Sequence, residues 1–242
     1  MKEIQHYKTL DYAIYYPKDY SEDKRFPLIF HLHGAGSRGN DISIVADAAV
    51  GPFGEVNRGV DLPFIIVAPQ CYGKTWFECG ETVLSLIDHL AERPDVDRSR
   101  MYLTGISMGG YACFEVAMLR AERFAAAMPV CGGGMPWAAG YLKGLPMWVH
   151  HGAMDSVVDV SNSIAMVKTL KRLGSEVRLT IYPDRDHDSW TPAFTNPEVY
   201  KWMLSHRRFE DGKVISEEAI KENAELVSEI LAEDMSGDTR FG

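Results

Sequence analysis

The stretch Gly105-Ile106-Ser107-Met108-Gly109 decides the fold prediction. It has the pattern G-x-S-x-G, with an apolar run typical of a buried strand before it (101–105) and a segment of helical periodicity after it (109–121). At such a turn the serine takes a strained conformation that exposes its Oγ, and the glycines leave room for neighbouring backbone. A glycine-rich helix start has the same letters, so the prediction of Ser107 as a nucleophile depends on its context.

Along the chain, apolar runs alternate with segments of helical periodicity. This alternation predicts an α/β fold, with a mostly parallel central sheet and helices on both faces. Several runs are apolar throughout, as expected for covered central strands. The predicted strands are Tyr12–Tyr16, Leu28–Leu32, Phe64–Ala68, Met101–Gly105, Ala126–Val130, Met147–His150 and Val177–Tyr182, and the predicted helices are Ile42–Ala49, Thr82–Glu92, Gly109–Ala121, Ser161–Leu173 and Pro192–Leu204.

Length and charge predict a catalytic domain over 1–208 and an acidic C-terminal extension over 209–242. The 242 residues, 46% of them hydrophobic, fit one ordinary α/β domain. The segment 210–242 holds ten acidic and three basic residues, so most of the net charge of −9 lies there. The nearly neutral body has no stripe of Lys and Arg, which argues against nucleic acid or an anionic membrane as a partner.

The extension carries the pattern of an amphipathic helix. Ser216 is a suitable N-cap, and acidic residues follow it in the first turn. Apolar residues then recur at helical spacing; they are Ile220, Ala224, Val227 and Leu231. We expect this helix to dock on its own chain, or alternatively on a second subunit in a homodimer.

Other sequence features bear on location and redox state. Met1–Leu10 lacks the pattern of a secretory signal, and no run approaches the roughly 20 apolar residues of a membrane span. A cytoplasmic protein is the expectation, although a secreted chain without its leader would have the same features. The cysteines form no CxxC pair, which favours free thiols. Cys71 and Cys79 share one predicted loop and would meet if that loop doubled back.

A nucleophilic serine needs a base to take its proton and an acid to orient that base. After a nucleophile elbow the chain order is serine, acid, histidine. Asp155 follows the predicted strand 147–150 and His187 follows 177–182, so both lie in loops at the carboxyl ends of strands. The alternative acids are Asp159, expected in the next helix, and Asp184, Asp186 and Asp188, which crowd the histidine itself.

The developing oxyanion of acyl transfer needs backbone N–H donors. The first candidate is Met108, directly after the nucleophile. The second is Ala35, in the sequence His33-Gly34-Ala35-Gly36 after the strand 28–32. An ordinary glycine-rich turn is the alternative reading, but its position in an alternating α/β chain favours an oxyanion loop.

Four motifs in this order carry a family resemblance: His33-Gly34-Ala35-Gly36, Gly105-Ile106-Ser107-Met108-Gly109-Gly110, His151-Gly152-Ala153-Met154-Asp155-Ser156-Val157-Val158 and His187-Asp188-Ser189-Trp190. Over residues 8–206 the chain resembles the phospholipase/carboxylesterase and "predicted peptidase" branch of the α/β-hydrolases, near the feruloyl and acetylxylan esterases and the dienelactone-hydrolase-like proteins. The resemblance implies a cofactor-free carboxylic-ester hydrolase with the triad Ser107, Asp155 and His187.

The chain also departs from that pattern. Asp159 stands where such proteins usually have proline, and Asp186 where a glycine often precedes the histidine. These departures put loop shape and substrate preference in doubt, because neither changes a catalytic side chain. Dienelactone hydrolases use a cysteine at the elbow, so Ser107 weakens that substrate assignment.

The sequence predicts no metal and no cofactor. His31 and His33 share one strand face but have no third ligand at suitable spacing. His150 and His151 point to opposite faces of a strand end, which argues against joint chelation.

Three tryptophans in predicted loops near the catalytic edge are candidates for substrate contact, with simple packing as the alternative: Trp190, Trp76 and Trp137. No long insertion that would form a lid separates the strand ending at 130 from the one beginning at 147. A short open cleft favours small soluble esters or acylated sugars. A peptidase of the prolyl-oligopeptidase type and a non-catalytic hydrolase-fold binding protein are the alternative functions; no propeller-sized domain supports the first, and an intact triad argues against the second.

Overall fold

A computed structural model describes residues 1–209, 212–216 and 221. Within these residues, strands β1 to β8 span Lys2–Tyr7, Leu10–Tyr15, Phe26–Leu32, Ile65–Pro69, Val96–Ile106, Ala126–Val130, Met147–Gly152 and Val177–Tyr182. They form one sheet in the order β1-β2-β4-β3-β5-β6-β7-β8. β2 pairs antiparallel with both β1 and β4. From β4 to β8 in the order of the sheet, β3 included, neighbouring strands run parallel. This is the architecture of the α/β-hydrolase fold and confirms the predicted class.

Helices cover both faces of the sheet. Helices α1 to α7 span Ser43–Ala46, Gly51–Asn57, Gly80–Ala91, Met108–Arg120, Ser161–Arg172, Trp190–Phe194 and Pro197–Leu204. Successive side chains of a strand point to opposite faces, so Phe30 joins the cluster under α3, α4 and α5, whereas Ile29 joins the cluster under α1, α2, α6 and α7. The central strands are buried throughout because both of their faces are covered.

Several elements before residue 206 differ from the prediction. β1 was not predicted, because its residues are mostly exposed and lack a buried apolar face. The expected helix Pro192–Leu204 is two helices, since Asn196 caps α7 by accepting a hydrogen bond from the Glu198 N–H and Pro197 occupies its first turn. The expected helix Ile42–Ala49 ends at Ala46, and α2, which begins at Gly51, was missed.

The C-terminal part of the described chain contains a hairpin. β9 (His206–Arg208) pairs antiparallel with β10 (Val214–Ser216), and the Tyr102 hydroxyl donates to the His206 carbonyl at 3.0 Å. Ser216, the predicted N-cap, is the last residue of β10. The apolar positions of the predicted amphipathic helix lie outside the described residues. Across the described ranges, the helices are all too short or too polar to cross a bilayer.

Candidate active site

Ser107 lies on the turn between β5 and α4. Its backbone has φ 56° and ψ −115°, a strained conformation for a residue with a side chain. The glycines on either side allow the turn: a Cβ on Gly105 would stand 2.0 Å from the Gly109 carbonyl oxygen, and one on Gly109 would stand 1.9 Å from the Leu32 carbonyl oxygen. The packing of this turn therefore requires glycine at both positions, which explains the G-x-S-x-G pattern.

The loops after β7 and β8 bring an acid and a base to this serine. His187 Nε2 lies 2.9 Å from Ser107 Oγ. His187 Nδ1 lies 2.8 Å and 3.0 Å from the two carboxylate oxygens of Asp155. The Asp155 side chain is fully buried, whereas the His187 side chain is 19% exposed. Serine, imidazole and carboxylate therefore form one continuous line of hydrogen bonds that opens to solvent at the serine end.

Asp155 is held in its ionised form by hydrogen bonds. Burial alone would raise the pKa of this carboxyl, but bonds from His187 and from the Val158 and Val157 N–H groups lower it. The two backbone donors lie 2.8 Å and 3.0 Å from Oδ1. A buried carboxylate with several donors stays charged and fixed in orientation.

His151 makes a contact to Asp155 that the sequence did not predict. Its Nε2 lies 3.2 Å from Asp155 Oδ2 and 2.8 Å from the Val158 carbonyl oxygen. Its Nδ1 lies 2.7 Å from Ser163 Oγ, which donates to the Gly132 carbonyl at 2.8 Å. His151 is fully buried, so it links the acid loop to α5 and to the end of β6. The sequence signal for this contact is the spacing of four residues between His151 and Asp155, which becomes informative once the end of the strand is known.

The alternative acids have other partners. Asp159 accepts from the Ser161 N–H at the start of α5. Asp186 accepts from the N–H and hydroxyl of Ser156, and Asp188 accepts from those of Thr191. These carboxylates shape the loops around His187.

The loop after β3 lies beside the serine. A Cβ on Gly34 would stand 3.6 Å from Ser107 Cβ, so the backbone at Ala35 passes close to the nucleophile. Met108 is the first residue of α4, and its N–H therefore has no acceptor within the helix. Both predicted oxyanion donors lie on segments that flank Ser107.

His33 braces this loop. Its Nε2 accepts from the Cys71 N–H at 3.0 Å, so its Nδ1 carries the proton and donates to the Gly34 carbonyl at 2.6 Å. Burial lowers the pKa of His33 to about 4, which keeps the ring neutral. The indole Nε1 of Trp76 donates to the His33 carbonyl at 3.0 Å.

A cavity of about 380 Å³ opens at Ser107. Its wall is mainly apolar and combines the predicted oxyanion loop with α1, α2 and the start of α6. Its lining includes Val45, Ala48, Val50, Phe53, Ile106, Val157 and Trp190. The Trp190 ring meets the His187 ring edge-on at a centroid distance of 5.2 Å. His31 also lines the cavity, and burial lowers its pKa to about 3.

Two of the predicted substrate contacts lie elsewhere. Among the described residues, the cavity wall includes Trp190 but neither Trp76 nor Trp137. Trp76 is buried behind His33, where it packs and donates its hydrogen bond. Trp137 is 82% exposed on the short 3-10 helix Pro136–Leu142. Position in a loop near the catalytic edge was not enough to place a ring in the cavity.

Three potential metal-ligand atoms in the described part of the chain lie within 4.8 Å of one another, on Cys131, Asp155 and His187. Two of them already bond each other in the line from Ser107. Burial raises the pKa of the Cys131 thiol to about 12, so the sulfur stays protonated and is a poor ligand. Cys131, predicted as a small core residue, is buried beside the triad with φ 40°.

Comparison with known proteins agrees with this geometry. Over 167 residues, the chain is 27% identical to a probable feruloyl esterase C of Aspergillus terreus, covering 67% of this chain and 61% of that protein. It thus spans about three fifths of the length of that relative.

Among solved structures, a thermostable esterase matches with a TM-score of 0.70 and 33% identity over 82% of this chain and 60% of that one. An acylaminoacyl peptidase of Pyrococcus horikoshii matches with a TM-score of 0.61 and 18% identity over 84% of this chain and 42% of that one, which shows the fold alone. The model of the dienelactone hydrolase family matches residues 61–231. The chain therefore belongs to the dienelactone hydrolase family.

Proposed function

We propose that this protein hydrolyses carboxylic esters through an acyl-enzyme on Ser107. The observation that carries the proposal is the unbroken line from Ser107 Oγ through His187 to the buried Asp155, on a strained turn that faces a cavity. Membership of a hydrolase family and similarity to esterases support the same reaction.

In the proposed mechanism, His187 Nε2 accepts the proton of Ser107 as Oγ attacks the ester carbonyl carbon. Asp155 keeps the other proton on Nδ1, so that Nε2 is free to act as the base, and it stabilises the imidazolium that forms. The N–H groups of Met108 and Ala35 donate to the oxyanion. His187 then protonates the alcohol that leaves, and the acyl group remains on Ser107.

Release of the acid repeats these steps with water. His187 takes a proton from a water molecule, whose oxygen attacks the acyl carbon, and the same two N–H groups stabilise the second oxyanion. The proton then passes from His187 to Ser107 Oγ, and the C–O bond to the serine breaks. The cycle needs no cofactor.

We infer small soluble esters or acylated sugars as substrates. A cavity of about 380 Å³ with an apolar wall suits a short or aromatic acyl group, and Trp190 offers a flat surface beside His187. The relatives named as feruloyl esterases make an aromatic acyl group a natural candidate. Ser107 at the elbow distinguishes this chain from the dienelactone hydrolases that use a cysteine at that position.

Ser107→Ala tests the nucleophile. We expect turnover of p-nitrophenyl acetate to fall by about 10⁴-fold or more, because the attacking atom is lost, with circular dichroism unchanged. Ser43→Ala, at an exposed serine of α1, is the matched control and should retain full turnover. Wild-type turnover by the Ser107 variant would contradict the proposal.

Two further measurements separate the alternatives. Labelling of Ser107 by a fluorophosphonate, located by peptide mass, argues against a non-catalytic binding protein, and failure to label would support one. A higher kcat/KM on aminoacyl-arylamides than on matched aryl esters would favour a peptidase. A series of acetyl, butyryl and feruloyl esters then reports the acyl pocket.

Two proposals concern the protein as a whole. We propose a cytoplasmic location, and fractionation of the source cells tests it. Dimerisation through the C-terminal helix is the second; light scattering of the full chain and of a chain ending at Arg208 compares the two masses.

A further inference from the structure

Cys71 and Cys79, flagged by sequence as two cysteines of one loop, meet in the structure. Their sulfur atoms lie 3.6 Å apart, and both residues are buried. A disulfide has an S–S bond of about 2.05 Å, so the sulfurs need to approach by only about 1.5 Å. We propose that this pair is a disulfide-forming site, which takes a small-molecule disulfide as oxidant and covalently closes the loop that supports the oxyanion side.

The other two cysteines provide the contrast. Cys113 Sγ lies against the Leu103 carbonyl oxygen at 3.8 Å, in the core under α4, and burial raises the pKa of its thiol. Cys131 lies beside Asp155 and His187, and burial raises the pKa of its thiol as well. Each of these sulfurs has the environment of an inert core thiol.

The Cys71–Cys79 pair is polarised. The two thiols hydrogen bond each other. This bond, with N–H groups of Gly73 and Tyr72, lowers the pKa of Cys79 against the effect of burial, whereas the pKa of Cys71 is raised. Cys79 is therefore the sulfur that loses its proton more readily, and the thiolate is the form that attacks a disulfide.

The segment that connects the two buried cysteines is partly exposed. Residues 72–78 connect them as a surface segment, in which Tyr72 is 48% and Phe77 is 66% exposed. A local opening of this segment exposes the sulfurs without unfolding the sheet, since only short 3-10 structure, Trp76–Cys79, lies within it.

The exchange balances with glutathione disulfide as oxidant. The Cys79 thiolate attacks one sulfur of glutathione disulfide and expels a glutathione thiolate. Cys71 then loses its proton to solvent, its sulfur attacks the Cys79 sulfur of the mixed disulfide, and a second glutathione thiolate leaves. Two protein thiols are oxidised to one disulfide while one glutathione disulfide is reduced to two thiols.

The consequence falls on the loop beside Ser107. Cys71 donates its N–H to His33 Nε2, and Trp76, within the closed loop, donates to the His33 carbonyl. His33 in turn holds the Gly34 carbonyl. A bond between Cys71 and Cys79 therefore fixes both segments that position His33, and it limits the opening of residues 71–79.

The test compares the full chain after long equilibration in buffers of oxidised and of reduced glutathione. Thiols are trapped with iodoacetamide in denaturant, and peptide mass locates any cross-link. We expect a Cys71–Cys79 cross-link in oxidised buffer and a thermal midpoint higher by about 5 °C, because a nine-residue closed loop restricts the unfolded chain. Neither readout depends on esterase activity, so the result is separate from the proposed function.

Cys79→Ser and the matched control Cys113→Ser complete the design. The first should lose the cross-link and the shift of the midpoint, and the second should retain both. Since the wild-type comparison requires no variant, a folding defect in either does not affect it. Free thiols at both positions in oxidised buffer, or a cross-link that leaves the midpoint unchanged, would overturn the proposal.

Discussion

The two sides of the cavity are each backed by a buried histidine, but the two rings act differently. On the oxyanion side, His33 bonds only main-chain groups: it accepts from the Cys71 N–H and donates to the Gly34 carbonyl. On the acid–base side, His151 Nε2 faces two oxygens, the Val158 carbonyl and the Asp155 carboxylate. His33 is a neutral brace, whereas the His151 ring bonds the Val158 carbonyl and lies 3.2 Å from the charged carboxylate of Asp155.

This difference sets an expected order of effects. Hydrogen bonds to charged groups contribute about 1.5–3 kcal/mol, against about 0.5–1.5 kcal/mol for neutral ones. Loss of His151 removes a ring that contacts Asp155 and holds the acid loop, so it disturbs the carboxylate that orients His187. Loss of His33 displaces a proposed oxyanion donor and does not delete it. Substitutions on the acid–base side should therefore cost more activity than those on the oxyanion side.

The largest effect is expected for Asp155→Asn. The amide neither fixes the tautomer of His187 nor stabilises its imidazolium, so kcat for p-nitrophenyl acetate should fall by about 10⁴-fold with little change of fold. Stopped assays and circular dichroism measure the two quantities. Asp186→Asn, at the neighbouring loop carboxylate, is the control. An equal loss of kcat in that variant would contradict the assignment of Asp155 as the acid.

His151→Leu is expected to have the next largest effect. It removes the ring that bonds the Val158 carbonyl and lies 3.2 Å from the buried carboxylate, and kcat/KM should fall by about 10-fold to 100-fold. His151→Gln, whose amide nitrogen can still donate toward Asp155, should recover part of that loss. A merely structural role predicts equal losses for the two variants, together with an unchanged pH profile of kcat/KM.

His33→Ala should lower kcat by about tenfold with KM nearly unchanged, because the brace consists of neutral hydrogen bonds. The control Trp76→Phe keeps the packing behind His33 and removes only the bond to its carbonyl, so its effect should be smaller. A loss of kcat at His33 that exceeds the loss at His151 would reverse the order inferred from charge.

The catalytic residues of this site were predictable from the sequence. Ser107, Asp155 and His187 were placed together because each follows a strand of one parallel sheet, and the carboxyl ends of such strands share an edge. The uninterrupted apolar runs in the sequence likewise indicated the central strands. Sequence patterns of single strands were sufficient for these three residues, because a parallel sheet brings the ends of its strands to one edge.

The hydrogen-bond partners of the supporting residues were not predictable in this way. The bond between His33 and the Cys71 N–H joins residues 38 apart, and its existence depends on the path of the loop over 71–79. Trp76 and Trp137 occupy similar loop positions in the sequence, yet one is buried and the other is 82% exposed. Side-chain direction, which periodicity does not specify in loops, made the difference.

The last effect concerns stability instead of catalysis and tests whether His33 is neutral. Burial lowers its pKa to about 4 in the folded protein, whereas its ordinary value is 6.5. As pH falls from 6.5 to about 4, the unfolded chain binds a proton that the folded chain does not. The free energy of unfolding therefore falls, by up to about 1.4 kcal/mol per pH unit for this one group.

His33→Gln should remove that contribution, so the slope of unfolding free energy against pH, from urea titrations between pH 4.5 and 6.5, should become shallower. His6→Gln is the control of opposite sign: the hydrogen bond to Asp11 raises the pKa of the exposed His6, so its protonation stabilises the folded chain at low pH and its removal should not flatten the slope. An unchanged slope in His33→Gln would mean that His33 takes up a proton in the folded state. That result would remove the distinction between the neutral ring of His33 and the ring of His151, which lies against the Asp155 carboxylate.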